Sequence, residues 1–266
     1  MAIDLPAPDN SRLRRAPLEL VIFQLRYEPQ LRAGDPQVAF AVHEDLGGRG
    51  GAFPNIEPIN SMSFQLTLAG GAGGIGAPVV GENAAVQGWQ FASADSTWVV
   101  QLTRDFATLQ TTRYETWDQS FRPRMILLLG ALAARVAPRI EQRIGLRYVD
   151  RLRLPGVNRA LGWRPYLIPE LLGLAGHAVL GPAVAGAQQQ VVLDLGDGVQ
   201  CGFRHGFLRE PSTIDEMQYF LDYDVFRQAG RPFDSRTVEL AADEFNTRAL
   251  QLFQASVTDE LMRQLR

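Results

Sequence analysis

Lysine is absent from this sequence, and all 26 cationic residues are arginine. Its absence excludes Schiff-base chemistry and covalent attachment of pyridoxal phosphate. Both need an amine that is neutral part of the time near physiological pH, whereas guanidinium stays charged there. Walker-type phosphate loops and protein-kinase sites also use a lysine, so they are excluded with it. A GC-rich genome, which also raises Ala, Gly and Pro, accounts for the bias at the level of the gene.

Cysteine is almost as scarce. Cys201 is the only one, so neither an intrachain disulfide nor a multi-cysteine zinc site can form, and a reducing compartment fits. The three histidines, His43, His177 and His205, show no H-x-x-x-H spacing, so no metal site and no cofactor is expected. No apolar run approaches the roughly 18 residues a membrane-spanning helix requires. The first residues carry Asp4, Asp9, Arg12, Arg14 and Arg15 where a secretory signal would have an apolar core. A cytoplasmic protein with no membrane contact is the expectation.

What remains is ample for a packed core, with 266 residues of which 46% are hydrophobic. The net charge of −3 argues against a surface given over to nucleic acid, although a local basic groove would survive that test. Residues Leu18 to Tyr27 form a β-branched and aromatic run between Pro17 and Pro29, a strand signature. A short helix is expected from Asp35 to Leu46, a loop from Gly47 to Asn60 and a strand from Met62 to Leu68. Three short runs, Trp89 to Ala92, Thr97 to Leu102 and Ala107 to Thr112, are spaced like an antiparallel meander. Apolar residues at Phe121, Met125, Leu128, Leu129, Leu132 and Val136 mark one helical face over Ser120 to Val136, with Ser120 as cap and Pro123 tolerated in the first turn.

The second stretch of chain repeats that order more loosely. A strand from Arg143 to Leu154 is followed by a helix from Trp163 to Leu174. Strands come next at Gln188 to Leu195, Val199 to Phe207 and Met217 to Arg227, and a long amphipathic helix runs from Ser235 to Phe253. No β-α-β alternation calls for a parallel sheet. The predicted class is α+β, with two similarly ordered halves, 1–155 and 156–266, each an antiparallel sheet packed against a long amphipathic helix. The two could also form one continuous pseudo-duplicated domain.

Several landmarks recur in a fixed order. They are Pro17-Leu18-Glu19, Gly88-Trp89-Gln90-Phe91, Trp117, Leu146-Arg147-Tyr148-Val149-Asp150-Arg151 and Phe253-Gln254-Ala255-Ser256-Val257-Thr258. In these the chain resembles, over nearly its whole length, a sporadically distributed bacterial family of about this size with no assigned activity. The resemblance implies architecture and brings no catalytic residues. Where the family pattern looks like R-Y-x-N-R this chain has Asp150, and the glycine-rich insert after Leu68 is also a departure.

Motifs that could carry chemistry are few. Gly70 to Gly76 is glycine-rich like a phosphate-cradling loop, but Ala77-Pro78-Val79 follows it where a helix should start, so a surface loop is expected. Cys201 and His205 would share a strand face about 13 Å apart, too far for a nucleophile and its base. Asp194 and Asp197 flank turn glycines, and Glu115 and Asp118 fall near a helix start, so local structure explains both pairs. No G-x-S-x-G element is present, and no catalytic residue is assigned.

Charge alternation is the more informative feature. Period two puts Arg143, Arg147, Arg151 and Arg153 on one face of their strand and Ile144, Leu146, Tyr148 and Leu152 on the other, with Asp150 the exception among them. It likewise separates Asp222 and Asp224 from Tyr219, Leu221, Tyr223 and Val225. Cross-strand Arg-Asp pairs would contribute about 0.2–1 kcal/mol each if solvated, a purely structural role. The functional alternative is an arginine-lined sheet face that binds an anionic group or an acidic peptide.

Two function classes follow. One is a non-catalytic binding or accessory protein that engages a protein, peptide or anionic ligand through this polar face. The other is an enzyme or enzyme subunit using Arg and carboxylate residues in a cleft between the halves. Nucleic acid ranks third as a partner, and a homodimer is compatible with the helical periodicity at 235–253 and in the tail to Leu265.

Overall fold

The architecture was taken from a computed structural model, which describes residues 3, 5–60, 86–209 and 216–266. The strand expected at Met62 to Leu68 and the glycine-rich 69–81 segment lie outside the described residues. The protein is α+β, with a large antiparallel sheet and five α-helices among the described residues.

In chain order the elements are β1 (Leu18–Tyr27), α1 (Pro36–Asp45), β2 (Asn55–Asn60), β3 (Val86–Ala92), β4 (Trp98–Thr103) and β5 (Phe106–Thr111). They continue with α2 (Arg122–Ala131), β6 (Ile140–Leu152), α3 (Pro169–Leu172), β7 (Ala187–Gly196), β8 (Val199–Leu208), β9 (Gln218–Pro232), α4 (Ser235–Ser256) and α5 (Asp259–Leu265). Hydrogen-bonded neighbours run β2-β3-β4-β5-β1-β6-β9-β8-β7. The chain divides into two compact units. One comprises Met1–Ile22, Ile144–Gln228 and Leu240–Arg266, the other Phe23–Arg143 and Ala229–Glu239. These units interleave along the sequence, so neither begins or ends at the 155/156 boundary inferred from it.

The second unit holds the meander. β3, β4 and β5 pair antiparallel with Trp89 opposite Leu102 and Val100 opposite Leu109. Tyr27 fixes β1 beside them, its hydroxyl donating to the Thr103 carbonyl at 2.8 Å. The helical run of this unit starts earlier than the apolar pattern suggests. Thr116, not Ser120, is the cap, accepting from the Gln119 N–H at 3.2 Å, and the first turn, Trp117–Phe121, is π-helical. The Ser120 hydroxyl instead donates back to the Thr116 carbonyl. Pro123 stands at the start of α2 but directly after the π-helical turn, so it lies inside the helical run, not in its first turn as expected, and it removes a donor there. The run ends at Ala137, which takes the left-handed conformation just before Pro138. The loop expected over Gly47 to Asn60 is also shorter, because Asn55–Asn60 pairs with β3 as β2.

The first unit contains the hairpin β7–β8 and its neighbour β9. Asp197 and Gly198 both have positive φ (53° and 76°), as a two-residue hairpin turn of the primed type requires, and the Asp194 side chain caps the turn by accepting from the Gly196 N–H at 3.0 Å. A helix was expected from Trp163 to Leu174, but this stretch breaks into short pieces: a 3-10 turn at Ala160–Trp163, α3 and a further 3-10 turn at Gly173–Gly176. Pro165 and Pro169 remove donors, and Gly173 (φ 50°) reverses the chain, so the apolar spacing never becomes a continuous helix. Trp163 is buried there and donates its indole N–H to the Met217 carbonyl at 2.9 Å.

Candidate polar face on the strands

β6 is extended, and its burial alternates as the sequence implies. Ile144, Leu146, Tyr148, Asp150 and Leu152 are buried, whereas Arg143, Arg147, Val149 and Arg151 are only half-buried. On β9, Tyr219, Leu221, Tyr223 and Val225 are in the core; Asp222 on the other face is buried as well, at 3% exposed, and Asp224 is half-buried. In the first unit the apolar face lies under α4. Tyr148 donates to the Asn246 side-chain oxygen at 2.7 Å, and Tyr223 donates to the Ser256 hydroxyl at 2.8 Å. Phe203 and Tyr223 stack at 4.6 Å on that same side.

On the opposite face, the register of β8 and β9 sets Arg204 directly across from Asp222. Arg147 grips Asp222 with both ends of its fork, at 2.7 and 2.8 Å, and Arg204 reaches the same carboxylate at 2.5 Å. Burial works against the Arg147 charge, but the hydrogen bonds and attraction of Asp222, with Asp224 adding to them, hold its pKa above the usual arginine value. At the end of β6, Glu19 serves a second arginine pair, lying 2.9 Å from Arg151 and 2.6 Å from Arg153.

The structure therefore brings together Arg147, Arg151, Arg153, Asp222 and Asp224 in the first unit. Arg143 falls in the other unit, where it donates to the Gln24 side chain at 3.1 Å. Sequence reasoning missed Arg204 and Glu19. Arg204 was visible in principle, since Cys201, Phe203, His205 and Phe207 alternate with Gln200, Gly202, Arg204 and Gly206. Glu19 gave no such signal, because it keeps step with the buried Val21, Phe23 and Leu25.

The remaining candidates have structural roles. Cys201 is fully buried, and burial, with Asp224 and Asp222 adding repulsion, pushes its thiol up to about 12. His205 is also buried and pairs through Nδ1 with the Tyr219 hydroxyl at 2.6 Å; Tyr219 in turn donates to the Leu171 carbonyl. Burial lowers the His205 pKa, disfavouring the charged ring. His43 is buried with Nε2 2.8 Å from the Phe53 carbonyl, and His177 accepts from the backbone of Val179 and Leu180. Among the described residues no group of three or more His, Cys, Asp or Glu side chains could hold a metal, and no helix is long and apolar enough to cross a membrane. A shallow cavity beside β7 and β8 is bordered by Leu171, Leu174, Gln189, His205 and Phe207.

No protein-family model matches the chain, nor does any curated protein or solved structure.

Proposed function

We propose that this is a non-catalytic binding or accessory protein that recognises an anionic group on a protein or peptide through the polar strand face of its first unit. One observation carries the reading: four guanidiniums share two carboxylates there, Arg147 and Arg204 on Asp222 and Arg151 and Arg153 on Glu19. Even with Asp224 counted the cluster keeps an excess of positive charge, although the chain as a whole is acidic. The members differ in access. Arg147 and Arg151 side chains are 20% and 28% exposed, whereas Arg204 and Arg153 reach 44% and 45%. The inner arginines hold the carboxylates in place, and the outer two present donors to solvent. A guanidinium fork of that kind fits carboxylate and phosphate oxygens.

The reading also keeps a pseudo-duplicated plan, a cytoplasmic setting and membership of the bacterial family resembled. Its support is the order of β3 to β5 before the helical run at 117–136, matched by β7 to β9 before α4, together with the lone buried thiol and the landmarks.

The test is fluorescence anisotropy with a labelled oligoglutamate peptide, and with inorganic phosphate as competitor. Arg153→Gln with Arg204→Gln is expected to abolish binding while shifting stability by no more than about 1 kcal/mol, the range of exposed ion pairs. If the wild type does not bind, or if the double variant binds as well as the wild type, the recognition reading fails and the face is a solvated ladder.

A further inference from the structure

Among the described residues, β7 ends the strand order and has β8 on one side only. An unpaired edge is a template for another strand, and proteins usually blunt it with charge, proline, a bulge or brevity. The described strand at the other end of the order shows all four devices. β2 has six residues, contains Glu57 and Pro58, and its register shifts between Ile59 and Asn60. β7 is ten residues long, has neither lysine nor proline, and stays in register with β8 from Ala187 to Asp194. Ala187 to Val192 are all exposed, Val191 at 41% and Val192 at 61%, and no charge occurs before Asp194.

From this contrast we infer that the free edge of β7 pairs antiparallel with β7 of a second copy, joining two chains about a twofold axis. The sequence of the strand suits self-pairing. Centred on Val191, the twofold sets Gln190 opposite Val192, Gln189 opposite Leu193 and Gln188 opposite Asp194, so no like charges meet and the only carboxylate faces an amide. Centred one residue later, it sets Asp194 opposite Gln190, in the same cross-strand row as Arg204. In either register the partner supplies this edge with backbone hydrogen bonds that no described strand gives it, and covers two exposed valines. The pairing is independent of anion binding on the arginine face.

Sedimentation velocity of the full chain, from sub-micromolar to high micromolar concentration, tests it directly. The wild type is expected to form dimers that dissociate on dilution. Val191→Lys with Val192→Lys, which opposes like charges across the axis, is expected to be monomeric throughout with an unchanged far-ultraviolet spectrum. A wild type that is monomeric at every concentration overturns the proposal and leaves the edge to a foreign strand, and so does a double variant that dimerises normally. Should the variant misfold, hydrogen exchange on the wild type decides. Protection of outer β7 amides that is lost on dilution supports the pairing, and protection independent of concentration refutes it.

Discussion

Replacing Asp150 with asparagine should stabilise the protein relative to the wild type, by a margin that grows as pH rises. Asp150 is 6% exposed and lies on the buried face of β6 between Tyr148 and Leu152. Burial, with repulsion from Asp222 and Glu19 added, pushes its carboxyl up to about 8. An aspartate in the unfolded chain has a pKa of about 3.9. The native state therefore keeps a proton that the unfolded chain releases, and the sign is fixed. The group costs nothing below about pH 4, and its cost grows as pH rises until it levels off above about pH 8. Each pKa unit is worth about 1.4 kcal/mol, so about four units set a ceiling of roughly 6 kcal/mol, and water reaching the opened carboxylate would reduce it to a few. The asparagine amide has the shape of the protonated acid and cannot ionise. Urea unfolding of the two proteins at a series of pH values should show the gap in favour of Asp150→Asn widening by at least about 2 kcal/mol between about pH 5 and pH 9. A gap that stays constant, or that closes as pH rises, would show that Asp150 is ionised in the folded protein and refute the reasoning.

Two further perturbations probe the same unit. Asp222→Asn leaves the partly buried Arg147 fork facing a neutral amide, so a loss of about 2–4 kcal/mol is expected in denaturant unfolding; a loss under about 0.5 kcal/mol would mean that the pair does not hold the strands together. Cys201, buried with its thiol pushed up to about 12, should not react with a disulfide reagent in mildly alkaline buffer until the protein is unfolded. Stoichiometric labelling of the native protein within minutes would contradict that environment.

Elements governed by short-range chemistry were legible in the sequence. β1 matches its expected limits, and the meander follows its turn residues. The failures share a cause. By residue type Ser120 is, if anything, the better cap than Thr116, and what decides for Thr116 is the π-helical turn at Trp117–Phe121, which buries Trp117 and Phe121 in one stack. In the stretch after Trp163, apolar periodicity outweighed proline and glycine in the expectation, although each proline costs an interior helix about 3 kcal/mol. Asn55 to Asn60 lacks strand alternation and is extended because β3 lies beside it.

The polar face was legible only along single strands. Alternation assigns a side chain to a face, which sufficed for Arg147, Arg151, Asp222 and Asp224, but it cannot say which strand lies next door or in what register. That information decides what the arginines do. One arginine per carboxylate makes a neutral ladder with little left for a ligand. A second guanidinium on the same carboxylate changes the balance, because the attraction of one negative charge is divided and the outer cation keeps donors for solvent or a visiting anion. Arg204, supplied by β8, turns Asp222 from the partner of Arg147 into a bridge between two cations, and Glu19 does the same for Arg151 and Arg153. At each bridge it is the outer member, Arg204 and Arg153, that is the more exposed.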